Sequence, residues 1–233
     1  MRVLGIDTST EMGSVAVVVD GVVVAELVAR VREKHGETLL PHVAHVLELA
    51  GVALADLNLV AVGVGPGSFT GLRIGLATAK GLAVGRGMPV VGVPSLRALA
   101  RGLPLVRGVV APMLDAHKGE VYVALYRSEP DGTLVTLLEP IHALPAEAGR
   151  AVRARAGDET VVLVGDARRA HGEAIQQAVG APSAIAGAAH DTPRAADVAL
   201  EAIDVLAREG PHDVASLEPL YVRASDAKLP GAR

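Results

Sequence analysis

A chain of 233 residues that is 50% hydrophobic and 21% charged carries enough apolar side chain for a sizeable core, which excludes general disorder. With no cysteine it excludes disulfides, thiolate catalysis and cysteine-ligated zinc. A net charge of −4 and 2% aromatic residues argue against unaided nucleic-acid binding, which calls for a basic face and stacking rings.

The first elements read as strands. "RVLGID" runs from Arg2 to Asp7 and "GSVAVVV" from Gly13 to Val19, and "VVVAELVA" follows from Val22 to Ala29. The Asp20-Gly21 dipeptide between β-branched runs predicts a hairpin. Continuous apolar content predicts a sheet covered on both faces. In "TLLPHVAHVLELAG", Leu39, Val43, Val46, Leu47 and Ala50 recur at helical spacing, with Gly51 as the stop and Pro41 expected in the first turn. "LVAVGVG" (Leu59 to Gly65) predicts a buried strand, Thr70 to Val84 a helix, and "PVVGV" (Pro89 to Val93) a further strand.

Leu103-Pro104 is expected to divide two lobes, 1–103 and 104–233. Beyond it, "GVVAPMLDA" (Gly108 to Ala116) and "EVYVALY" (Glu120 to Tyr126) flank a His117-Lys118-Gly119 turn, and "TLVTLLEP" follows the Asp131-Gly132 turn. Helices are predicted over Pro145 to Arg155, Arg169 to Val179 and Pro193 to Arg208, and a strand over Thr160 to Gly165. Both halves thus run from hairpin-connected strands into alternating helices and strands, an α/β pattern. The chain opens on a strand without the basic, apolar and cleavable segments of a signal peptide, and no charge-free apolar run reaches the ~18 residues of a membrane span. A cytoplasmic protein is expected.

Two stretches carry candidate chemistry. "GIDTST" places Asp7, Thr8 and Ser9 where a hairpin can wrap a phosphate or its metal, although the same residues also satisfy backbone donors in ordinary turns. "GPGSFTG" offers Gly65, Gly67 and Ser68 ahead of a helix, with Ser68 or Thr70 as cap, a feasible anion cradle. It lacks the Lys-[Ser/Thr] ending of a P-loop and the Rossmann glycine spacing. In the helix behind it, Gly71, Gly75, Ala79 and Ala83 form a small-residue ridge, and apolar residues such as Leu72 cover most of the rest. Such a helix is either central to its lobe or turned to a partner chain. His42 and His45 fall opposite the Leu39/Val43/Leu47 stripe, where exposed polar residues are a simpler account than a metal site. His117 beside Asp115 and Glu120 makes a solvated turn or an acid/base cluster.

Taken together, "LGIDTST", "GVGPGSFTGLRIGLATAKGLA", "PVVGVPSLRALA", "DAHKGEVYVALY" and "PLYVR" resemble the TsaB (YeaZ-type) family of tRNA threonylcarbamoyladenosine biosynthesis, over nearly the whole chain. The resemblance is most specific from Gly63 to Ala100; it departs at His117-Lys118, where arginine-like residues are more usual. It implies a two-lobed actin/Hsp70-like (ribonuclease H-like) fold. It also implies a non-catalytic subunit, without cofactor or metal, that pairs with a TsaD-like transferase and meets tRNA only through that complex. A TsaC-type enzyme would supply the threonylcarbamoyl adenylate, a TsaE-like ATPase would join, and the chain alone would form homodimers. Aligned on TsaD-like relatives, Ser95 and Leu99 take the places of a metal-holding His-x-x-x-His pair, and no Gly-Gly is present to seat an adenosine. The expected partner surface comprises Leu39, Val43, Val46, Leu47, Gly71, Leu72, Gly75 and Ala79, with Asp7, Thr8, Ser9, Gly65, Gly67 and Ser68 a vestigial phosphate loop. The alternatives are an ATP-dependent phosphotransferase using Asp7, Thr8 and the Gly65–Gly71 loop, and a direct tRNA-binding module.

Overall fold

Each half of the chain opens on three hairpin-connected strands, and parallel strands then widen each set into a five-stranded sheet. The computed structural model describes residues 1–31, 35–103 and 108–222; Pro104 of the expected boundary and Arg223 of the terminal motif lie outside them. The first sheet holds β1 (Arg2–Asp7), β2 (Met12–Val19), β3 (Val22–Arg30), β4 (Leu59–Gly65) and β5 (Val90–Pro94) in the order β3-β2-β1-β4-β5. The second holds β6 (Val109–Asp115), β7 (Val121–Ser128), β8 (Leu134–Ala143), β9 (Val161–Val164) and β10 (Ser183–Ile185) in the order β10-β9-β6-β7-β8. Read from its own first strand, each sheet has the same topology. Asp20 and Gly21 take φ of 49° and 80°, the left-handed pair that a tight hairpin of right-twisted strands requires.

Helices cover both faces of the first sheet, which explains its unbroken apolar runs. Leu4 and Ile6 of β1 point to one face, where α1 (His35–Ala50) and α2 (Phe69–Val84) close a core with Val60 and Val62. Val3, Leu59 and Val91 point to the other, against Val198, Ala199 and Ala202 of α6 (Ala195–Glu209). A Cβ on Gly5 would stand less than 3.0 Å from the Ala195 carbonyl, so glycine lets α6 lie directly on β1. The second sheet rests on α4 (Pro145–Ala156) and α5 (Arg168–Val179), and its other face meets Leu96 and Leu99 of α3 (Ser95–Arg101). Cutting the chain at 103 would separate the sheets but not their covers, because α6 from the second half packs on the first sheet.

An ionic knot ties these layers together. Glu201 of α6 is 1% exposed and accepts from Arg97 Nε at 2.6 Å and Arg101 Nη1 at 2.9 Å, both from α3. Arg97 reaches on to the Leu134 carbonyl of β8 at 2.9 Å. One buried carboxylate thereby links the first sheet's cover to the second sheet.

Three local differences from expectation have physical reasons. Helix α1 starts at His35, so Pro41 stands inside it rather than in its first turn. Pro41 has no N–H to give the helix, but it is exposed, and burial of Leu39, Val43, Val46 and Leu47 holds the helix through that position. Helix α3 was not predicted because its seven residues are too few for a clear period, and β10, with three residues, follows the same logic.

Candidate functional site

At the end of β1 the chain turns inward. Asp7, Thr8, Ser9 and Thr10 are all buried, unusual for four consecutive polar residues. Asp7 Oδ1 accepts from the Ser9 N–H at 2.9 Å and the Ser9 hydroxyl at 2.6 Å, while Oδ2 accepts from the Ser95 hydroxyl at 2.8 Å. Ser95 Oγ in turn accepts from the Gly65 N–H at 3.3 Å. Burial pushes the Asp7 carboxyl above its ordinary range, and the bonds from Ser9 and Ser95 oppose that shift.

The cradle at the head of α2 closes on this turn. Ser68 is the N-cap, accepting from the Gly71 N–H at 3.2 Å, and its own N–H donates to the Ser9 carbonyl at 2.7 Å. Thr8 Oγ1 donates to the Gly71 carbonyl at 2.8 Å. A Cβ on Gly67 would lie 2.8 Å from Ser9 Cβ, and one on Gly71 less than 3.0 Å from the Thr8 carbonyl oxygen. The six predicted phosphate-loop residues do come together, and Thr8 and Ser9 are bonded directly to the Ser68–Gly71 segment. Among the described residues no buried side-chain polar atom lacks a partner.

The eight predicted contact residues all lie inside the chain's own packing. Leu39, Val43, Val46 and Leu47 are buried in the core under the first sheet, as is Ala79. Leu72 is 2% exposed, and the ridge of Gly71 and Gly75 receives Thr8: a Cβ on Gly75 would stand less than 3.0 Å from Thr8 Oγ1. Small residues on α2 thus permit a close approach within the chain. What α1 and α2 turn outward is different: Leu40 and Leu49 on α1, Phe69, Arg73 and Val84 on α2. Arg73 lies 3.8 Å over the Phe69 ring and donates to the Tyr221 hydroxyl at 3.1 Å, with the two rings 5.4 Å apart. The only signal for this cluster was the single Phe of the chain standing just before a helix.

In the second lobe, His117, Lys118 and Gly119 form a left-handed turn with φ of 60°, 55° and 82°. The exposed His117 donates its backbone N–H to Asp115 Oδ1 at 2.8 Å and holds its ring 3.8 Å from Asp115 Oδ2, and Glu120 faces His142 at 2.9 Å. Asp166, missed from sequence, accepts from the Asp115 N–H at 2.9 Å; burial pushes its carboxyl up to about 6. His45 stands 3.8 Å from Glu48, and among the described residues no three His, Asp or Glu side chains converge as a metal site. Ser95 is spent on Asp7, and Leu99 is 3% exposed in the apolar layer under α3. An open depression of about 480 Å³, lined by Asn58, Arg86 and Met88, lies at the opposite end of β4 and β5 from Asp7. No helix among the described residues is long and apolar enough to cross a membrane.

Two lobes of like topology, with a β-turn and a glycine loop meeting at the strand ends, define a protein of the actin/Hsp70-like α/β class. The family model for TsaD, tRNA N6-adenosine threonylcarbamoyltransferase, matches residues 21–230. The Bacillus subtilis tRNA threonylcarbamoyladenosine biosynthesis protein TsaB is 30% identical over 98% of this chain and 96% of its own length. The Escherichia coli TsaB is 45% identical over 57% of this chain, and that match spans only 58% of the E. coli protein. The solved structure of YeaZ from Pseudomonas aeruginosa superposes with a TM-score of 0.80 at 29% identity, covering 94% of this chain and 99% of YeaZ. The chain belongs to the TsaD/TsaB family, among its TsaB (YeaZ-type) members.

Proposed function

We propose that this chain is a non-catalytic subunit of tRNA N6-threonylcarbamoyladenosine formation, which pairs with a TsaD-like transferase and activates it. The observation that carries this reading is the self-filled cradle: Thr8, Ser9 and Asp7 are bonded to Ser68, Gly71 and Ser95, where a nucleotide phosphate would need to enter. The match to a model named for a transferase is consistent with shared scaffold, since Ser95 and Leu99 stand where the resemblance puts two metal-binding histidines and are engaged otherwise. The partner surface is the outward side of α1 and α2. Leu40, Leu49 and Val84 are each more than half exposed, and apolar side chains in such number on adjacent helices fit a protein–protein interface. The same side serves a homodimer when the partner is missing; a TsaE-like ATPase joins the heterodimer, and tRNA is met through the complex, in the cytoplasm.

The test is reconstitution. With a TsaD-like subunit, TsaE-like ATPase, threonylcarbamoyl adenylate and tRNA, transfer requires this chain, and Leu40→Glu together with Val84→Glu abolishes both co-purification and transfer while leaving the circular dichroism spectrum unchanged. Transfer by this chain alone would end the non-catalytic reading, and full transfer by the double variant would end the surface assignment.

A further inference from the structure

The edge of the first sheet at β5 is covered by residues that follow α6. There the chain runs back along β5 as a strap. The His212 N–H donates to the Val90 carbonyl at 2.9 Å, and two residues along β5 the Gly92 N–H donates to His212 Nδ1, also at 2.9 Å. The imidazole thus stands in for the carbonyl that a paired strand would offer. Further on, Leu217 seats on Gly92, where an added Cβ would lie 2.9 Å from Leu217 Cδ1. Leu220 donates its N–H to the Val64 carbonyl at 2.7 Å, and Tyr221 accepts from Arg73 on α2. Among the described residues the other hydrogen bonds that hold the strap to β4, β5 and α2 join backbone groups, Arg73, Lys80 and the Tyr221 hydroxyl, and His212 Nδ1 supplies the imidazole among them.

We propose that the strap is a pH-operated latch, held closed by the neutral ring of His212 and released when that ring takes up a proton. Accepting from Gly92 fixes the proton of the neutral ring on Nε2. An imidazolium carries N–H on both nitrogens, so protonation sets one donor against another at Gly92 and leaves that amide unpaired. Release uncovers the β5 edge and, through Leu220 and Tyr221, the Gly65 loop and the head of α2.

The other ionisable groups near the strap make bonds of their own. β5 carries no ionisable side chain. Within the strap, Asp213 is held below the ordinary carboxylate range by the Ser216 hydroxyl, and Glu218 is exposed. On α2, Lys80 donates to the Ala215 carbonyl at 3.2 Å and Arg73 to Tyr221; on α6, Arg208 lies 3.7 Å from Glu201 and Glu209 is exposed. Asp166 and Asp197, each pushed up to about 6 by burial, stand in the second lobe and at the head of α6. Asp7, also raised by burial, reaches the Gly65 N–H through Ser95 Oγ but makes no bond to the strap, so the His212 variant separates its contribution.

The experiment is amide exchange and nitrogen NMR of the full chain at about pH 7.5 and pH 5, which bracket histidine titration. Corrected for intrinsic rate, protection of Gly92 and Leu220 falls about tenfold or more on acidification, the scale of one lost hydrogen bond in a local opening. His212→Asn, whose side-chain oxygen accepts at every pH, abolishes that dependence even though Asp166 and Asp197 still titrate. In the wild-type chain, the imidazole nitrogens at the higher pH show a bare Nδ1. A protonated Nδ1 there, unchanged protection at low pH, or an equal loss in His212→Asn would overturn the latch.

Discussion

Replacing Gly71 with alanine distinguishes a filled cradle from an open one by the sign of its effect. Gly71 is the third residue of α2 with an ordinary helical φ, so alanine is compatible with the backbone. In an open cradle the added methyl would stabilise by about 0.4–1 kcal/mol through the unfolded chain and helix propensity. In this structure the new Cβ would stand less than 3.0 Å from the Thr8 carbonyl oxygen and 3.3 Å from Ser68 Oγ, the capping atom. Neither is the loose end of a flexible side chain. Overpacking of this kind costs about 1–3 kcal/mol. Moving Thr8 aside also strains its 2.8 Å bond to the Gly71 carbonyl, worth about 1 kcal/mol net. Set against the propensity gain, the variant should lose about 1–3 kcal/mol, read as a lower urea midpoint by circular dichroism. Gly81→Ala supplies the control on the same helix: nothing lies within 4 Å of its Cβ position, so it should gain up to about 1 kcal/mol. If Gly71→Ala is as stable as the parent or more so, Thr8 does not occupy the cradle, and the main support for a non-catalytic role is gone.

Other perturbations probe the remaining supports. Glu201→Ala removes the buried partner of Arg97 and Arg101 and should cost about 3–5 kcal/mol in thermal or urea unfolding; a loss under about 1 kcal/mol would mean that solvent together with Asp204 and the Leu134 carbonyl, which these guanidiniums also meet, suffices without Glu201. Asp197 has a folded-state pKa raised to about 6, by burial first and by Glu26 next, from 3.8. A raised carboxyl favours the protonated folded form, so stability should fall as pH rises from about 4 through 6; Asp197→Asn should flatten this slope, and an unchanged slope would refute the assignment. Calorimetry of the isolated chain with Mg-ATP should give no binding tighter than about millimolar, because entry would first require Thr8 and Ser9 to leave their bonds; a micromolar constant would revive the phosphotransferase reading.

Much of the fold was legible because its strands and helices carry strong periods and turn residues. The Leu59–Gly65 strand was read with its observed limits from an apolar run ending in glycine, and Asp20-Gly21 and His117-Lys118-Gly119 marked the hairpins. Local signals could not reveal what depends on distant pairing. Whether Gly71 and Gly75 faced a partner or Thr8 was not decidable from the ridge, since both need the same small residues. Ser95 gave no sign that it would close on Asp7, 88 residues away in the chain. The His212 latch was equally silent, because a lone histidine between Pro211 and Asp213 reads as an ordinary loop residue.

The filled cradle and the ionic knot bear on docking together. Actin/Hsp70-like lobes that grip a nucleotide in the cleft can couple their relative position to that ligand. Here Asp7 spends its acceptors on Ser9 and Ser95, and Arg97 joins α6 to β8 through Glu201 and the Leu134 carbonyl. Both linkages are made within the chain and are present before any partner arrives. The outward side of α1 and α2, proposed above as the partner surface, would therefore be offered on a frame whose ordering cost was met in folding. Association then loses less freedom than it would on a hinged frame, so even a modest apolar face can hold a partner. On this reading Glu201→Ala should weaken partner binding through a surface that it does not touch, and unaltered affinity in a still-folded variant would separate docking from lobe rigidity.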